Sequence, residues 1–157
     1  MLRRIVGTGV VGGLIGTAVM TLAENVEQRF THRADSYVPA RTAAHLFRAR
    51  QPDKKSIPRN WAMHWGTGTV MGVARAVMSA SGFKGAAASS AHLLLRFSTD
   101  QTLENATGVG TPPWTWPRDE LTLDVVHKAI YAFTPGAAVD ALMARSSGGR
   151  AKLELAP

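Results

Sequence analysis

One stretch constrains this chain more than any other: Trp61–Phe83, WAMHWGTGTVMGVARAVMSASGF. It runs 23 residues, is mostly apolar and carries His64, Arg75 and a small-residue pair, Gly68 and Gly72, four apart. As a helix rising about 1.5 Å per residue it is long enough to cross a hydrocarbon core of roughly 30 Å. A second apolar run precedes it. Ile5–Ala23 holds no charge over 19 residues, and its Gly9/Gly13 and Gly12/Gly16 pairs have the spacing that lets membrane helices approach closely. Met1–Arg4 followed by an apolar run also has the form of a secretory signal. Against that, the run is rich in glycine and its helical character continues through Glu24, Val26 and Gln28.

The remaining chain reads as helix and turn. Thr31–Asn60 is polar and basic, with prolines at 39, 52 and 58. Within it Pro39–Arg50 suits a short amphipathic helix, lying either on a membrane surface or in water as a loop helix. Trp61 and Trp65 open the second run, where interfacial tryptophans are expected. Ser81–Gly85 makes a turn, and Ala86–Thr107 is a weakly apolar helix. Gly108–Pro117 (GVGTPPWTWP) cannot continue it. Asp119 and Glu120 then begin a last helix, with acids in its first turn as the helix dipole favours. The expected architecture is all-α: a single helical membrane domain over 1–145, with helices at about 4–30, 60–81, 85–107 and 118–144. A short amphipathic helix lies between the first two, and 146–157 form a flexible tail.

On a helical wheel each long segment carries one polar stripe. The first gathers Thr17, Thr21, Glu24 and Gln28. The second gathers His64, Gly68, Met71 and Arg75. The third gathers His92, Arg96 and Asp100, with Glu104 at its edge. The fourth gathers Glu120, Asp124, His127 and Tyr131. In a soluble bundle these stripes face water; in a membrane bundle they face inward, because ionisable groups against lipid are costly. The uncharged first four turns of the first helix favour the membrane. Short turns make the helices alternate in direction, so Glu24, His64, Arg96, Asp100, Glu104, Asp124 and His127 should converge in the half of the bundle nearest residues 31–60 and 108–118.

Several function classes lack support. There is no cysteine, hence no thiolate chemistry. The chain is basic, net +7 with a pI near 10.6. Yet eight of its 18 Lys and Arg fall between Arg29 and Arg59, beside the apolar runs, which suits anionic lipid headgroups rather than nucleic acid. Nine basic residues on the side of 31–60 against six on the other favour that side in the cytoplasm. No nucleophile elbow, P-loop or HExxH occurs. Gly7-Thr8-Gly9-Val10-Val11-Gly12 fits GxGxxG only formally, since it follows no strand. His64, Asp124 and His127 are the residues that would bind a divalent metal, with Asp124 and His127 on one face. A Glu-x-x-His pair on each of two helices is absent, which favours a salt-bridge network with Arg96 on Asp100 or Asp124. No cofactor is implied. His92 reads as a packing histidine, and Arg75 as snorkelling or paired with an acid.

His64-Trp65 followed by Gly68 and Gly72, the Gly-x-Gly-x-Pro-Pro-Trp turn at Gly108–Trp114, and His127 seven residues after Glu120 form a recognisable set. With the GTAVMTLAE end of the first helix, they resemble the YagU family of small bacterial inner-membrane proteins of unknown function. The likeness covers most of 5–143. It implies a multi-pass membrane protein and supplies no activity or catalytic residues. The resulting expectation is a non-enzymatic accessory or structural subunit, or a stress-related membrane factor. Its glycine faces (Gly9, Gly13, Gly16, Gly68, Gly72) would pack on one another, on a membrane-protein partner or on a second copy. The alternatives are a proton or small-solute transporter using the inward His/Asp/Glu stripe, and a metal-binding membrane enzyme.

Overall fold

A computed structural model describes the backbone of residues 1–154 and the side chains as far as Arg145. Among the described residues the chain is helical and contains no strand. The helices are α1 (Leu2–Thr31), α2 (Val38–Leu46), α3 (Ile57–Ala80), α4 (Gly85–Ala106) and α5 (Arg118–Glu154), with a 3₁₀ turn at Pro113–Thr115. α5 runs past Ala144, where the sequence pattern ended it; of the expected tail, 146–154 are helical and 155–157 lie outside the described residues. α3 begins at Ile57, with Pro58 in its first turn, where a missing N–H costs nothing. Gly82 and Gly85, both at positive φ, turn the chain from α3 into α4.

The four long helices alternate in direction. α1 lies antiparallel to α3 along a glycine seam. A Cβ on Gly13 would stand 2.5 Å from the Gly68 carbonyl oxygen, and one on Gly9 2.5 Å from the Val73 Cα. Only residues without side chains allow the two backbones this close. Gly68 and Gly72 supply the other half of the seam, against Thr17 and Gly13. The other edge of α1 seats α5: a Cβ on Gly16 would meet the ring of Pro135 at 2.7 Å, and Gly12 faces Val139. Pro135 sits inside α5, has no N–H for the Tyr131 carbonyl, and presents its ring to these glycines. Arg4 donates to the Met143 carbonyl at 2.8 Å and closes the end where α1 begins.

The distribution of side chains is inverted relative to a soluble bundle. Among the described residues no Leu, Ile, Phe or Trp is buried. The buried apolar set is Ala40, Ala43, Ala44, Ala76, Ala88, Ala132, Val139, Tyr131 and three methionines. Arg75, His92, Arg96, Lys128 and Gln101 are buried with them. Val11, Leu14, Val19, Val70, Val77, Leu94, Val126 and Phe133 point outward. Water-soluble cores are built the other way round.

By length and composition, α1 is the one described helix apolar enough to cross a membrane. The expectation of four such helices is not met on that criterion. The cause is visible in the packing: α3, α4 and α5 turn their polar residues inward, and an average along the helix counts those residues with the outward ones. The short helix expected between the first two long helices is present as α2, over Val38–Leu46 rather than Pro39–Arg50. Its Ala40, Thr42, Ala43 and Ala44 face is buried, packed on α3 and α4, and the Ala40 N–H is held by the Asn60 side chain at 3.1 Å.

Candidate functional site: a polar cavity at one end of the bundle

The inward stripes meet at two levels. At the end where α3 turns into α4, Arg75 is fully buried and makes a bidentate pair with Asp140, at 3.2 Å from Nη1 to Oδ1 and 2.8 Å from Nη2 to Oδ2. Asp140 Oδ2 also accepts the Gly85 N–H at 2.9 Å. One carboxylate thus ties α3, α5 and the start of α4 together. Arg75 is paired rather than snorkelling. Midway, Tyr131 donates to the Gly68 carbonyl at 2.5 Å, and His92 Nε2 to the Met71 carbonyl at 3.0 Å. The Arg96 guanidinium lies 5.0 Å over the Tyr131 ring. These contacts close the middle of the bundle.

Beyond them, toward residues 31–60 and 108–118, a cavity of about 800 Å³ opens. Glu24, His64, Arg96, Asp100, Glu104, Asp124 and His127 all line it. The stripes bring these residues together because each helix contributes them at one depth: late in α1 and α4, early in α3 and α5. Arg96 Nε donates to Asp100 at 2.8 Å, one helical turn away. Asp124 pairs with Lys128 and not with Arg96; Lys128 also stands 3.7 Å from Asp100. Thr21 donates its hydroxyl to the Thr17 carbonyl at 2.8 Å, so its contact with His64 Nε2 at 3.1 Å is donated by the imidazole. His127 approaches Glu27 at 4.0 Å, and Glu27 is bound by Arg33 at 2.8 Å.

Sequence reasoning omitted Lys128, Glu27, Arg33 and Asp140. Lys128 was open to discovery, lying four residues after Asp124 where helical neighbours meet. Glu27 is three residues after Glu24 and faces the same end. No group of three or more His, Asp or Glu side chains among the described residues lies close enough to share one metal ion. His64, Asp124 and His127 therefore line the cavity without forming a ligand set. Instead Arg33 bridges Glu24 and Glu27, Lys128 bridges Asp124 and Asp100, and Arg96 pairs with Asp100.

A smaller space of about 40 Å³ beside α2 shares part of this wall: Pro39, His64, Arg96, Asp100 and Glu104 line both. Two donors there lack partners, Thr42 Oγ1 and Arg96 Nη1, on residues 1% and 6% exposed. Unpaired polar atoms this deeply buried call for water or a ligand atom, and the space holds a few waters. No family model, curated protein or solved structure matches the chain.

Proposed function

We propose that this chain is a small multi-pass protein of a bacterial inner membrane, with α1, α3, α4 and α5 as its spans, and that it acts as a non-enzymatic membrane component. One observation carries the reading: Leu, Ile, Phe and Trp are absent from the described interior while arginine, lysine and histidine occupy it. In water that arrangement would leave broad apolar faces exposed and bury charge without hydrophobic compensation. In lipid the same faces are solvated and the charges pair inside. At about 45 Å, α1 exceeds the hydrocarbon thickness. The likeness to YagU proteins points the same way.

The test is extraction. Membranes from cells making the protein are washed with alkaline carbonate and then treated with detergent. The proposal expects the chain in the pellet until detergent is added. Release by carbonate as a monodisperse soluble species would overturn it.

A second reading, handling of a small solute, is favoured by the cavity. It is wide at one end of the bundle and closed in the middle by Tyr131 and His92, with the Arg75–Asp140 pair beyond. Such a shape suits binding from one side rather than an open pore.

A further inference from the structure

We infer that the large cavity is a binding site for an organic ammonium ion bearing a hydrogen-bond acceptor, a hydroxylated quaternary amine being the simplest case. The inference rests on the membrane reading above, which places the cavity mouth at the bilayer–water boundary.

Charge is the first ground. The cavity wall holds six acidic side chains, Glu24, Asp35, Asp100, Glu104, Glu120 and Asp124, against three cations, Arg33, Arg96 and Lys128, and acids outnumber cations even with the half-buried Glu104 left out of the count. This excess of acid lies within a chain of net charge +7. The three cations are already engaged: Arg33 by Glu27 and Glu24, Arg96 by Asp100, Lys128 by Asp124 and Asp100. Among the described residues Asp35, Glu104 and Glu120 have no cationic side chain within 4.0 Å. One oxygen of a paired acid, Asp124 Oδ2, is buried without a hydrogen-bond partner. The wall is therefore short of positive charge.

The second ground is aromatic. Tyr37, Trp61, Trp65 and Trp116 line the same cavity, and Trp61 and Trp65 are stacked with centroids 6.1 Å apart. Aromatic rings and acids sharing one cavity wall favour a cation with a weakly hydrated, apolar periphery over a metal ion or a proton. The third ground is independent of both. Arg96, more than nine-tenths buried, lines both the large cavity and the smaller space beside α2, and its Nη1 has no hydrogen-bond partner. Thr42, whose Oγ1 is likewise unpartnered, lines the smaller space only. An acceptor oxygen of the ligand reaching that space, or water between them, completes their bonds. At about 800 Å³ the space has the size of sites that enclose small organic molecules.

The experiment uses the full chain in phosphatidylglycerol nanodiscs, with isothermal titration calorimetry and choline as the probe. 3,3-Dimethylbutanol, which replaces the charged nitrogen by carbon, is the neutral control. The inference expects saturable choline binding, with the neutral analogue at least tenfold weaker. Asp35→Asn with Glu120→Gln, both exposed and without ion pairs, should weaken choline at least fivefold. Trp61→Ala should do likewise. Trp114→Phe, altering an 84% exposed residue outside the cavity, should change nothing. Repeating the titration in phosphatidylcholine nanodiscs separates two sources of the same chemistry. A weaker apparent affinity there assigns the site to a lipid headgroup, and an unchanged one to a free solute. Absence of saturable binding, equal binding of the neutral analogue, or insensitivity to the paired acid variant would overturn the inference. Monodisperse incorporation into the discs reports on the membrane reading separately, so either can fail alone.

Discussion

Gly13→Ala should destabilise the bundle, whereas Gly7→Ala in the same helix should not. A Cβ on Gly13 would stand 2.5 Å from the Gly68 carbonyl oxygen, 2.9 Å from the Thr69 Cα and 3.2 Å from the Gly68 carbonyl carbon. All three atoms are backbone, so no rotamer change relieves the clash. Ordinary carbon contacts lie at about 3.5–4.0 Å, so α1 and α3 must part by roughly 1 Å. Overpacking of this kind costs about 1–3 kcal/mol. A gap of that size also forfeits roughly a quarter to a half of the dispersion attraction along the seam. The better helix propensity of alanine returns about 1 kcal/mol, leaving a net loss of up to about 2 kcal/mol. A methyl group on Gly7 would have nothing within 4 Å of it, so the same substitution there keeps the propensity gain of up to about 1 kcal/mol. Reversible unfolding in mixed micelles, followed by circular dichroism, measures both. The reasoning is refuted if Gly13→Ala is as stable as Gly7→Ala.

Asp140→Asn should be the most damaging single change in the bundle, at about 3–5 kcal/mol, because it leaves the buried Arg75 charge uncompensated. The double change Arg75→Met with Asp140→Asn should recover most of that loss in the same unfolding assay. Tyr131→Phe removes one buried hydrogen bond to the Gly68 carbonyl and should cost about 0.5–1.5 kcal/mol, with no change in helix content. Hydrogen bonds from His45 and then Arg41 hold the Asp53 carboxyl below its usual range. The contact is therefore present above the ordinary aspartate pKa and is lost as pH falls through the lowered one. Amide protection in α2 and the loop after it, taken relative to the intrinsic exchange rate at each pH, should fall on acidification below about pH 4, and Asp53→Asn should abolish that fall.

How far the sequence could be read depended on what each pattern measures. The stripes depend only on helical period, and alternating direction follows from short turns, so the depth of Glu24, His64, Asp100 and Asp124 was legible without coordinates. The glycine spacing of α1 and α3 likewise pointed to close approach, and Gly9 and Gly13 do meet α3. Asp140 escaped notice for a geometric reason. It lies nine residues after Tyr131, half a turn around an ideal helix, outside the stripe through Glu120, Asp124, His127 and Tyr131. The reach of an arginine side chain closes that gap. The docking of α2 was illegible because an amphipathic pattern is the same whether its small-residue face meets lipid, water or another helix. Mean hydropathy, near zero for the chain, concealed which residues face outward.

The central claim is that the apolar faces meet lipid and the stripes meet each other. Because the chain has no cysteine, single cysteines carrying nitroxide labels can be placed at will in reconstituted bilayers. Labels at Val19, Val70, Leu94 and Phe133, all outward, should relax strongly with oxygen and weakly with a water-soluble nickel chelate. A label at Asn25, which lines the cavity, should show the reverse. High nickel accessibility at the four outward positions would place those faces in water and contradict the account.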